Sequence, residues 1–93
     1  NRFYLAYNGL GNYYLKSNQF DKAELAYSTA IQINPKRSAK IYKNRAYLRE
    51  KQKNNSEAIN DLKNYLMLFH SSLHLAVQSQ YSVELSFLLK TWM

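Results

Sequence analysis

"GLGNYYLKSNQFDKAELAYSTAIQINP", residues Gly9 to Pro35, holds both glycines of the 93-residue chain and its one proline. Phe20, Ala23, Tyr27, Ala30 and Ile31 recur at steps of three and four, the spacing of one face of a helix. The polar run Lys16–Gln19 separates this helix from an earlier one. Asn34–Pro35 stops it, because a residue before proline avoids helical backbone. A glycine inside a helix costs about 1 kcal/mol against alanine. Gly9 and Gly11 therefore call for an explanation in packing.

Further along, Ala58, Leu62, Tyr65, Leu66 and Phe69 show the same helical spacing. Valine and threonine are scarce, and no alternating apolar run is bounded by turns, so nothing reads as a strand. "KNN" at Lys53–Asn55 reads as a second short turn. Ser38, Asn55 and Ser71 or Ser72 are candidate N-caps. The pattern predicts an all-α chain of five helices, at 2–16, 20–33, 38–53, 55–70 and 72–92. Loops this short pack neighbouring helices antiparallel.

The formal net charge is +7, and one segment carries it. Between Lys36 and Lys53 lie Lys36, Arg37, Lys40, Lys43, Arg45, Arg49, Lys51 and Lys53, with Glu50 as the sole acid. Elsewhere acids and bases balance. Such a patch attracts acidic partners; as a solvated helix face it also aids solubility. The chain has no cysteine, which fits a reducing compartment such as the cytoplasm, with an extracytoplasmic part of a membrane protein as the alternative. No apolar run approaches the roughly 20 residues that span a bilayer. The first residue is Asn1, which suggests an excised piece of a larger protein.

The first two helices resemble one tetratricopeptide repeat. The residues that carry the resemblance are Tyr7, Leu10, Gly11, Tyr14, Ala23, Tyr27, Ala30 and Pro35, with Tyr7 in the place of the usual Trp. The next pair resembles a degraded copy, displaced by 35 residues, against a family period of about 34. There Tyr42, Arg45, Ala46, Arg49, Ala58, Leu62, Tyr65 and His70 stand at the motif places, and Arg49 and His70 depart from the expected Tyr and Pro. An alternative register puts Ile41 and Leu48 inward. The resemblance implies a short right-handed α-solenoid, with repeat one at 3–36 and repeat two at 38–71. It also implies that Gly11 and Ala23 are small because two helices cross there.

Leu73, Val77, Tyr81, Leu85, Leu88 and Trp92 form an apolar stripe in the segment 72–93. That segment is expected to be a terminal helix that caps the second pair, with Leu73, Val77 and Tyr81 on Ile59, Leu62 and Leu66. Its far end offers a surface for a further domain or for a second copy of the chain, as a homodimer. Similar long helices follow the arrays of some bacterial sensor and regulatory proteins, where they lead to a membrane segment or an output domain.

No catalytic set is recognisable. His70 and His74 are four apart but lack a third metal ligand, and "GLG" follows no strand and is no phosphate loop. Asp21, Glu24, Glu50, Glu57, Asp61 and Glu84 read as helix-surface carboxylates. No cofactor or metal is expected, and the chain reads as a non-enzymatic interaction module. By the resemblance, Asn8 and Asn12 of the first helix and Lys40, Lys43, Asn44 and Tyr47 of the third face the groove that holds a peptide or partner domain. Asparagine suits peptide backbone and lysine suits a carboxylate. Asn12 and Asn44 match the clamp repeats that bind acidic chaperone tails. Asn8 stands where the clamp has lysine, and His74 and Gln78 replace its basic pair. The competing reading is a nucleic-acid binder with Tyr42 and Tyr47 as stacking surfaces. Two repeats would read too few bases for that.

Overall fold

The computed structural model describes residues 2–79, with side chains for residues 2–71. Four helices make up the described chain: α1 (Phe3–Lys16), α2 (Phe20–Ile33), α3 (Ala39–Lys51) and α4 (Asn55–Ser79). A single 3-10 turn at Pro35–Arg37 separates α2 from α3. There is no strand among the described residues. α1 packs on α2, α3 packs on α4, and α2 bridges to α3.

The turns inside the two helix pairs are copies of each other. After α1, the Gln19 amide donates to the Tyr14 carbonyl at 2.8 Å and Asn18 to Leu15 at 3.1 Å. After α3, Asn54 donates to Arg49 at 2.8 Å and Lys53 to Glu50 at 2.9 Å. Each is the paired bond of a left-handed helix cap. Asn18 (φ 60) and Lys53 (φ 61) supply the left-handed residue. Tyr14 and Arg49, like Asn18 and Lys53, are 35 residues apart, which is the displacement seen in the sequence.

The copying ends at the next junction. Asn34–Pro35 breaks the chain after α2, while the corresponding residues are Phe69–His70. Histidine keeps its amide donor, and Ser71 and Ser72 are tolerated in helix, so nothing stops α4. The helix therefore runs on through both serines to Ser79. The five expected helices are four among the described residues, and the boundary at 70–72 is absent. Leu73 and Val77 lie on α4 itself and cannot fold back over Ile59, Leu62 and Leu66 of the same helix. Tyr81, Leu85, Leu88 and Trp92 lie outside the described residues.

The core forms around α2. Ala23, Tyr27, Ala30 and Ile31 of α2 meet Ile41 and Leu48 of α3, with Tyr14 and Tyr42 packed alongside. Ala46 and Ala58 are buried at the α3–α4 crossing. Leu62 holds the place in α4 that Tyr27 holds in α2, yet it is 41% exposed. Tyr27 is covered by α3, whereas no described element covers the corresponding face of α4. Ile59, Leu66 and Phe69 are open there too. At the other end of the array, Tyr7 and Leu10 of α1 are also exposed.

Gly11 is buried and has a clear reason to be glycine. A Cβ there would sit 2.4 Å from the Tyr27 ring, which is itself fully buried and cannot swing aside. Around Gly9 there is open space within 4 Å. Gly9→Ala should raise stability by up to about 1 kcal/mol, and Gly11→Ala should lower it by about 1–3 kcal/mol. Urea unfolding of the two variants reads this directly. Equal responses would remove the ring contact as the reason for Gly11.

Candidate partner-binding face

α1 and α3 lie side by side, and asparagines connect them. Asn44 Nδ2 of α3 donates to Asn8 Oδ1 at 3.1 Å and reaches Asn12 Oδ1 at 3.5 Å. The Tyr27 hydroxyl donates to the same Asn12 oxygen at 2.6 Å. The three asparagines named by the sequence thus form one chain of amides, anchored from below by a core tyrosine. The Nδ2 groups of Asn8 and Asn12 and the Oδ1 of Asn44 have no hydrogen-bond partner among the described residues. These are two donors and one acceptor, the complement that peptide backbone needs.

The lysines are arranged less tightly. Lys40 and Lys43 are exposed on α3, and the Lys43 ammonium stands 5.8 Å from the Tyr65 ring centre of α4. Tyr47 is half exposed, with the Lys51 ammonium 5.1 Å from its ring. Tyr42, the second candidate for stacking on a base, is packed against the core with the Arg45 guanidinium 5.6 Å from its ring.

The sequence reading missed the largest polar feature. Asp61 is fully buried, which corrects its assignment to the surface. It accepts from Arg45 Nε and Nη2 at 2.9 and 2.8 Å, and from Arg49 Nη1 at 2.9 Å. Arg49 in turn grips Glu24 of α2 through Nε and Nη2, both at 3.0 Å. Ser28 joins Arg45 Nη1 to Glu24 at 3.0 Å on each side. Arg49, the departure from the expected Tyr, is therefore the centre of a cluster holding α2, α3 and α4 together. Burial alone would lower its pKa, but the hydrogen bond to Glu24 and the charges of Asp61, Glu24 and Glu57 outweigh that and raise it. The available signal was an Arg pair four apart on α3, one helix face, beside acids in the early turns of α2 and α4.

The buried Tyr27 hydroxyl has its pKa pushed up to about 12 by desolvation. The folded state thus holds this proton more tightly than the unfolded chain does. Stability from this group is complete below pH about 10 and falls as pH rises toward 12. Tyr27→Phe should flatten the decline in melting temperature over that window. An unchanged slope in the variant would show that Tyr27 is not the group responsible.

No helix among the described residues is long and apolar enough to cross a membrane. Residues 4–37, just over a third of the chain, match the family described as tetratricopeptide repeat. No curated protein and no solved structure matches the chain. Repeats of this family generally mediate protein–protein interaction and are typically non-enzymatic.

Proposed function

Residues 4–37 being a tetratricopeptide repeat, we propose that the chain is a protein-interaction module that holds an acidic peptide, or an acidic partner face, in the groove between α1 and α3. In this reading α3 and α4 form a second repeat of the same right-handed solenoid. The observation that carries it is the amide chain Asn8–Asn44–Asn12, which presents backbone-like donors and an acceptor on one face. Lys40 and Lys43, exposed on α3, would pair with carboxylates of the bound peptide. Tyr47 would contribute apolar contact. The clustering of Arg45 and Arg49 with Asp61 and Glu24 argues against the nucleic-acid reading, because two cations of the basic segment are already neutralised. The long α4, apolar along Ile59, Leu62, Leu66 and Phe69, supports a second role in which that face meets another domain or copy.

Binding of a fluorescent Asp/Glu-rich peptide should weaken as salt rises. Lys40→Glu with Lys43→Glu should weaken it about tenfold or more by replacing attraction with repulsion. Undiminished binding by that variant would move the site off this groove. A salt-dependent mobility shift with arbitrary RNA would favour the nucleic-acid reading instead.

A further inference from the structure

A cavity of about 550 Å³ opens where α1 begins and α2 ends, lined by Arg2, Tyr4, Leu5, Asn34 and Arg37. It is open to solvent, with Arg2, Leu5 and Arg37 exposed. Arg2 and Arg37 are 35 residues apart, so they occupy the same place in the two helix pairs, each just before α1 or α3. Neither has an ion pair among the described residues, unlike Arg45 and Arg49. Leu5 lies one turn before Asn8 on α1, and Arg37 closes the 3-10 turn that leads into α3.

The distribution of acids makes this end of the molecule positive. Asp21 and Glu24 lie in the early turns of α2, Glu50 at the end of α3, and Glu57 and Asp61 in the early turns of α4. Since neighbouring helices alternate in direction, all five are in the half opposite the cavity. Lys36 and Lys40 flank Arg37 with no acid between Glu24 and Glu50. A guanidinium presents a flat fork of donors that matches phosphate oxygens. Asn34 and the Tyr4 hydroxyl add neutral donors.

We infer that this cavity receives the phosphate of a phosphorylated side chain on the peptide that occupies the groove. Arg2 and Arg37 would grip the phosphate oxygens from the two repeats at once, while the amides of Asn8, Asn12 and Asn44 hold the backbone. The inference rests on the groove reading, and the test keeps the two apart.

Three labelled acidic peptides, with serine, phosphoserine or glutamate at one position, are titrated against the full chain by fluorescence anisotropy. The phosphoserine peptide should bind about tenfold tighter than its serine twin, because phosphate adds charge-assisted hydrogen bonds. Arg2→Gln with Arg37→Gln should erase that margin, so that any loss of affinity from the removed charge is shared equally by the serine and phosphoserine peptides. Circular dichroism confirms that the variant is folded, and Arg37→Lys should retain only part of the margin. Equal affinity for the serine and phosphoserine peptides overturns the inference while the groove reading stands. A margin that survives the double variant also overturns it, and a glutamate peptide as tight as phosphoserine assigns the cavity to carboxylates and does the same. If no peptide binds, the groove reading fails. Inorganic phosphate then decides the cavity by NMR: saturable shifts at Arg2 and Arg37 support an anion site there, and their absence overturns it.

Discussion

Asp61 is the point at which three helices become one structure. It is fully buried and carries bonds from both Arg45 and Arg49, while Arg49 reaches on to Glu24 of the first helix pair. Two guanidiniums face Asp61 and Glu24, and the exposed Glu57 adds a third carboxylate 3.7 Å from Arg49 at the rim of the cluster. Burying such charges is expensive, and the cost is offset only if geometry is good and most donors are used. Here both arginines make forked contacts at 2.8–3.0 Å. An ion cluster thereby holds the joint at which the repeat pattern expects the ring of Tyr.

This joint shapes the outer face. With Arg45 and Arg49 turned inward, the exposed cations of the basic segment are Lys36, Arg37, Lys40, Lys43, Lys51 and Lys53. Tyr27 links the layers in a second way. Its ring fills the space left by Gly11, and its hydroxyl fixes Asn12, which Asn44 of α3 also reaches. A change in the core at this tyrosine would therefore reach the candidate binding face through one hydrogen bond.

Much of the fold was legible because each signal was local or followed a fixed spacing. Gly11 and Ala23 announced a close helix crossing, and both lie buried, as do Ala46 and Ala58 at the motif places of the second pair. The 35-residue displacement was readable, and the paired left-handed caps at Asn18 and Lys53 follow it. The end of α4 was misplaced because serine permits both a cap and a helix interior, and only a breaker such as Pro35 decides between them. Asp61 was misread because a charge at helical spacing looks solvated until its partners on two other helices are known. Asn8, Asn12 and Asn44 were named from the motif, but the bond from Tyr27 that anchors Asn12 spans two helices and has no local signature.

The most direct test of this account is urea unfolding of Asp61→Ala beside the unaltered chain. Removing the acid leaves Arg45 and Arg49 facing each other with their shared partner gone, and the predicted loss is about 3–5 kcal/mol. A change within about 0.5 kcal/mol, the range of ordinary surface substitutions, would contradict the claim that this cluster joins the helix pairs.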